Sequence, residues 1–330
     1  MTVVLLILAL FIILASAELF TNGVEWFGRR YELGEGAVGS VLAAVGTALP
    51  ETLVPIIAIL FTHGVTSHDI GIGAILGAPF MLSSLAMFVT GTAIIIYSLR
   101  GRRSRKVTIN EKVMRRDLSH FLIAYTAAMA IGLTHLHHVK WGLSPLLLAF
   151  YGYYVYETMK SEGDLSGDTK PLYFHRHPVM PHRWRIFVQL AVALGGIIGG
   201  AEIFVREVDH LSAALGASPL LVSLLITPIA TELPEKFNSV LWIRGRKDTL
   251  ALGNITGAMV FQSTFPVSVG LLFTSWQLTR TGLVSGLLAI VSGLVLYVTL
   301  RVKHTMTWWS IAGAGSMYAV YMVYVFAIVR

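Results

Sequence analysis

Long, predominantly apolar stretches recur from one end of the chain to the other, separated by short polar intervals. Val3 to Leu14 is the purest of them. Crossing a hydrocarbon core of about 30 Å takes about 20 helical residues. Ten stretches reach that scale, at 3–27, 35–62, 70–99, 118–136, 141–159, 184–206, 216–243, 248–275, 281–300 and 306–329. Strands that crossed a bilayer would alternate apolar and polar positions, and these stretches do not. The pattern predicts an all-α polytopic membrane protein with ten transmembrane helices.

Composition agrees. Hydrophobic residues make up 55% of the 330 positions and charged residues 13%, more apolar surface than a water-soluble domain of this size could enclose. The formal net charge of +7 does not point to nucleic acid, because it is sorted along the chain. With the N-terminus outside, 20 of the 25 Lys and Arg fall in cytoplasmic intervals: Arg29 and Arg30, the run from Arg100 to Arg116, Lys160 to Arg185, Arg244 to Lys247, and Arg301 with Lys303. Lys140, Arg206, Arg280 and Arg330 fall on the other side, and Lys236 lies inside a span. That asymmetry is the positive-inside pattern and predicts an N-out, C-out protein of the plasma (inner) membrane, with the lipid bilayer as its principal partner. The chain has no cysteine, which excludes disulfides, thiol catalysis and thiolate metal sites. Ala15-Ser16-Ala17 has the shape of a signal-peptidase site, but no positive region precedes it, and cleavage there would remove part of a repeat.

That repeat is visible at three places. Ala17-Glu18-Leu19-Phe20 returns as Ala201-Glu202-Ile203-Phe204, and Thr47-Ala48-Leu49-Pro50-Glu51 as Thr231-Glu232-Leu233-Pro234-Glu235, both offset by 184 residues. Gly73-Ala74-Ile75-Leu76-Gly77-Ala78 returns as Gly253-Asn254-Ile255-Thr256-Gly257-Ala258, offset by 180. Each copy holds five spans, an odd number, so the second must enter the membrane from the opposite side. The expected organisation is a five-helix repeat over 1–159, a cytoplasmic linker with little structure of its own over 160–183, and an inverted five-helix repeat over 184–330. Inverted repeats with broken helices at their interface are the architecture of secondary transporters, whose sites lie near the bilayer midplane.

Chemistry concentrates at the duplicated Pro-Glu. Pro50 and Pro234 lack an amide hydrogen and free the carbonyls of Gly46 and Ala230; Pro228 adds a break to the second copy. Unpaired carbonyls are tolerated at membrane depth only where protein or a polar cavity receives them. Glu51 and Glu235 follow the prolines inside their spans, where an unpartnered carboxylate costs about 2.5–3.5 kcal/mol or more. Thr47 and Thr231 precede them by four residues, on the same helical face. Two carboxylates, two hydroxyls and freed carbonyls make a hard, all-oxygen site suited to Ca²⁺ or Na⁺. The bland alternative is that each glutamate only bonds a neighbouring helix as packing glue.

With these residues in view, the sequence resembles the cation/Ca²⁺ exchanger superfamily, especially the sodium/calcium exchanger membrane region. Its two alpha repeats centre on Gly-Thr-Ser-Leu-Pro-Glu, and Gly46 to Glu51 and Ala230 to Glu235 occupy those places. The family's following segment, Gly-Asn-x-x-Gly-Ser-Asn-x-x-Asn/Asp, is similar to Gly73 to Leu82 and Gly253 to Gln262. The resemblance implies alternating access, with the first and sixth helices sliding as gates. Glu51 and Glu235 would ligate the cation, with Thr47 and Thr231 beside them. Departures are as informative. The family serine is Ala48 and Glu232, the later serine Ala78 and Ala258, and the closing Asn or Asp is Leu82 and Gln262. Several oxygen ligands are thereby lost, and Gln262 retains an amide oxygen. Glu232 and Lys236 are additions at i, i+4 spacing, which allows an ion pair. Lys236 is either a tethered counter-cation displaced when an ion arrives or a permanent partner of Glu232.

His135, His137 and His138 lie at the outer end of the fourth span, whereas His175, His177 and His182 lie in the cytoplasmic linker, so they cannot converge on one metal. Trp308 and Trp309 read as interfacial anchors. The function expected is a secondary cation antiporter exchanging Ca²⁺ or a related cation for Na⁺ or H⁺, with inorganic cations as ligands and no cofactor. Two other classes fit the sequence: an integral membrane enzyme working through intramembrane carboxylates or histidines, and a transport-incompetent relative that senses ions.

Overall fold

A computed structural model describes residues 1–30, 49–62, 66–134, 137–161, 171–175 and 181–328. The described elements are helical: α1 (Thr2–Arg30), α2 (Leu49–Leu60), α3 (Ser67–Met81), a π turn (Leu82–Ala86), α4 (Met87–Leu99), α5 (Glu111–Gly132), α6 (His137–Ser161), α7 (Arg183–Leu215), α8 (Pro219–Arg244), α9 (Asp248–Phe273), α10 (Arg280–Lys303), α11 (Trp308–Gly315) and α12 (Met317–Ile328). Among the described residues, six segments are long and apolar enough to cross a membrane: Thr2–Val24, Ser67–Leu99, Arg183–Leu215, Asp248–Phe273, Arg280–Lys303 and Trp308–Ala327. Pro219–Ile229, in the first half of α8, is a shorter apolar stretch.

Local chemistry sets the boundaries. Asn110 caps α5, its side-chain oxygen accepting from the backbone N–H of Lys112 (3.1 Å) and Val113 (3.4 Å), donors that an uncapped first turn would leave unpaired. Thr307 and Ser310 form a reciprocal capping box at the start of α11. The α7–α8 turn needs Gly216, whose φ of 63° is open to glycine at no steric cost, and Pro219 then opens α8 where its missing N–H has no partner to lose.

Outward surfaces are apolar, and the interior encloses polar side chains beside its apolar core. Val3, Phe11, Val298 and Val323 are exposed, as suits groups facing lipid tails. Ser83, Ser144, Ser223, Thr256, Ser268 and Ser292 are fully enclosed. Their hydroxyls bond backbone carbonyls across helices or one turn back, as Ser144 to Ser268 (3.0 Å), Ser223 to Ile70 (2.7 Å) and Ser292 to Ser83 and Ala314 do. In lipid, where helix association lacks the hydrophobic drive of water, such bonds and close backbone approach hold helices together.

Small residues set two of the closest crossings. On α1 and α7, Gly23 lies against Leu190, Ser16 against Gly196, and Ile13 against Gly200. The order of contacts reverses along the two helices, so the pair is antiparallel. On α3 and α8, Gly73 lies against the Leu220 carbonyl and Gly77 against the Leu224 carbonyl and the Pro228 ring, in the same order, so that pair runs parallel. A Cβ at either glycine would collide with backbone. α3 with its extension to Leu99 is the most enclosed span and packs on α2, α8, α9 and α10.

At the Arg-rich end, the loop after α4 is fastened to the α8–α9 turn by one guanidinium. Arg103 donates through all five N–H groups: to both Asp248 oxygens (2.7 and 2.8 Å) and to the carbonyls of Ile243, Lys106 and Ser104. Thr108 N–H donates to Asp248 as well (2.9 Å). Both side chains are 2% exposed. Removing one partner of such a pair strands a buried charge, so Arg103→Met is expected to destabilise the fold by about 3 kcal/mol. Thermal unfolding in detergent checks it, and a double variant with Asp248→Asn should recover part of the loss.

The structure corrects one expectation. Proline does not divide the seventh predicted span: α8 is one helix from Pro219 to Arg244 with Pro228 and Pro234 inside it. Embedding between α3 and α9 holds the chain helical where two ladder bonds are missing. Pro50 belongs to α2, and the stretch before it, with the Gly46 carbonyl, lies outside the described residues. Within the predicted linker, residues 171–175 pack against α1 and α7.

Candidate cation site

Helices α2, α8 and α9 pack on one another, and each brings polar groups inward. Glu51, in the first turn of α2, is 4% exposed. Glu232 on α8 is 1% exposed, Thr231 beside it is fully buried, and Gln262 on α9 is 1% exposed. Thr52, the residue after Glu51, is buried too.

Gln262 is the most informative group. Both ends of its amide, Oε1 and Nε2, are shielded from solvent and have no hydrogen-bond partner among the described residues. Leaving a buried polar group unsatisfied costs about 1–3 kcal/mol, so a fold serving only stability would have an apolar residue there. Its repeat mate shows that alternative: Leu82 is fully buried and opens the π turn Leu82–Ala86. In that turn the hydroxyls of Ser83 and Ser84 both donate to the Phe80 carbonyl, supplying what the altered ladder leaves out.

On α8, Thr231 donates to the Thr227 carbonyl (3.0 Å), and the Thr227 and Ser223 hydroxyls are 3.0 Å apart. Ser223, Thr227 and Thr231 thus form an oxygen-rich stripe at four-residue spacing, and Glu235 continues that spacing. The first two were missed in the sequence, although an i, i+4 hydroxyl stripe leading to an acidic residue was readable there. Thr47 lies outside the described residues. Pro234, Glu235 and Lys236 belong to α8, but their side chains lie outside the description, and so does any pairing of Glu232 with Lys236. Of the expected site residues, the structure places Glu51, Thr231, Glu232 and Gln262 on three mutually packed helices.

The histidines stay apart. His138 is exposed at the start of α6, His182 is exposed before α7, and His175 contacts Arg185; His135, His137 and His177 lie outside the description. Among the described residues no group of three or more His, Asp or Glu could hold a metal ion by itself.

An all-helical, lipid-facing bundle with enclosed carboxylates and amide on packed helices defines a multi-pass membrane protein of the ion-transport class. The family model described as sodium/calcium exchanger protein matches residues 1–159 and 185–327, and the chain belongs to that family. An uncharacterized membrane protein of Methanocaldococcus jannaschii is 24% identical over 302 residues, covering 92% of this chain and 91% of that protein. Among solved structures, an H⁺/Ca²⁺ exchanger, CAX, superposes with a TM-score of 0.75 at 15% identity, covering 98% of this chain and 82% of that one. The sodium-calcium exchanger NCX_Mj, soaked with Na⁺ and Sr²⁺, superposes with a TM-score of 0.58 at 20% identity, covering 98% and 97%.

Proposed function

We propose that this protein is a secondary antiporter that exchanges Ca²⁺ or a related hard cation for H⁺ by alternating access, from a site built on Glu51, Thr231, Glu232, Glu235 and Gln262. The observation that carries this reading is the enclosed, unpartnered amide of Gln262 on a helix packed against those bearing the carboxylates. A passing cation gives that amide oxygen the partner the fold does not, and neutral oxygen beside carboxylate suits Ca²⁺. Glu232 stands where the family motif has serine, and Leu82 where it has an oxygen ligand. The exchange of neutral ligands for a titratable one favours H⁺ over Na⁺ as the counter-ion.

The same reading includes ten spans in two inverted halves, N-out and C-out in the plasma membrane. It is supported by the separately matched stretches on either side of the linker. The antiparallel contact of α1 with its repeat mate α7 also supports it.

Proteoliposomes placed in radiolabelled Ca²⁺ test the function. An imposed pH gradient is expected to drive uptake and an equal Na⁺ gradient is not; uptake that follows Na⁺ alone would assign the other counter-ion. No gradient dependence of either kind would remove the antiporter reading.

A further inference from the structure

Repeat mates on α1 and α7 have different fates at opposite ends of the pair. On α7, Glu202, Val205, Arg206 and Asp209 line a cavity of about 300 Å³ with Phe61 and Thr66, and the Thr66 hydroxyl donates to Asp209 (2.6 Å). Counting back the repeat offset of 184 residues, Glu202, Val205 and Arg206 correspond to Glu18, Thr21 and Asn22 on α1. Residues 171–175 lie across Glu18 and Asn22, two of those positions.

The contacts are specific. The Tyr173 hydroxyl donates to Glu18 (2.9 Å), the Tyr173 N–H donates to the Asn22 side-chain oxygen (3.2 Å), and the Asn22 amide donates to the Pro171 carbonyl (3.3 Å). The strap also reaches α7, where Gln189 accepts from the Phe174 N–H (3.0 Å) and donates to Asn22 (3.0 Å) and to the Leu19 carbonyl (2.8 Å). Leu172 is fully buried with Trp26 and Ile186. A tight turn, His175 N–H to the Leu172 carbonyl at 2.8 Å, presents that side chain.

We propose that residues 171–175 are a strap that fills the cytoplasmic counterpart of the outer cavity, tying α1 to α7 and closing the inner passage until it is released. The proposal rests on the antiporter reading for its consequence in transport, but not for the geometry. A fold of two inverted halves would open equivalent clefts on both faces. The strap lies outside the repeat, so it can block one cleft alone and make the two faces unequal. Its tie to both helices holds together the pair whose sliding the family resemblance implies.

The cysteine-free chain allows a direct test in membrane vesicles of either orientation. Thr21→Cys and Val205→Cys are introduced singly and labelled with a membrane-impermeant maleimide. Loosening the strap with Leu172→Ser and Tyr173→Phe is expected to speed labelling of Thr21→Cys from the cytoplasmic side about tenfold, the scale of one or two lost buried contacts. Labelling of Val205→Cys from outside should not change, which also shows that the loosened protein is folded. In a second arm, Asn22→Cys and Tyr173→Cys are joined by a short cleavable thiol crosslinker on an otherwise native strap, and Ca²⁺ exchange is expected to stop and return on cleavage. Unchanged labelling of Thr21→Cys, or undiminished exchange in the crosslinked protein, overturns the proposal. If the uncrosslinked protein carries no flux, the antiporter reading fails and the labelling arm still decides the strap.

Discussion

Glu51→Gln is expected to reduce Ca²⁺ counterflow in proteoliposomes by about three powers of ten while the protein stays folded. The substitution is nearly isosteric and removes one negative charge from an enclosed position. A unit charge pair about 4 Å apart at an effective dielectric constant of 20 is worth roughly 4 kcal/mol, which is a loss of about 1,000-fold in the occupancy of the loaded state. Stability should move the other way or hardly at all, since burying a carboxylate at membrane depth is itself costly. Flux measured beside thermal unfolding separates the outcomes. Retained exchange would show that Glu51 is packing glue, and lost exchange with early unfolding would show a structural role instead.

Gln262→Leu is expected to do two opposite things. It makes α9 match its repeat mate, where Leu82 stands, and removes a buried amide with no partner at either end among the described residues. Stability should rise by about 1–3 kcal/mol, the cost of leaving such groups unsatisfied. Exchange should fall, because the neutral oxygen that completes the cation's coordination is gone. A stabilising substitution that disables function is the signature of a group kept for its ligand. Gln262→Glu extends the test: an added carboxylate should tighten Ca²⁺ binding, read as a lower half-saturating concentration, and slow its release. If Gln262→Leu lowers the unfolding temperature and leaves exchange intact, Gln262 is a core residue and the site lies elsewhere. Neither measurement requires the counter-ion to be known.

The site was legible wherever chemistry conflicted with its surroundings. A carboxylate inside an apolar run has few reasons to be there, and Glu51 and Glu235 announced themselves by occurring twice beside proline. Gln262 was found by its place in the second repeat, where it keeps an amide oxygen at a position that the family motif fills with Asn or Asp. Ser223 and Thr227 carried no such conflict, since hydroxyls in membrane helices bond their own backbone cheaply, and so they went unread.

By itself the sequence determined that the chain lives in lipid, that it is helical and internally repeated, and which family it resembles. Those properties are sums over local composition and spacing. Only the tertiary structure decided that α8 runs unbroken past two prolines, because neighbouring helices and not the local ladder hold it. The same is true of the Arg103–Asp248 clamp, whose partners are 145 residues apart, and of the strap, whose Tyr173 meets Glu18 across 155 residues. A Gly-, Pro- and His-rich linker reads as a loop because its composition carries no hydrophobic period; where such a loop docks depends on a groove formed by two distant helices.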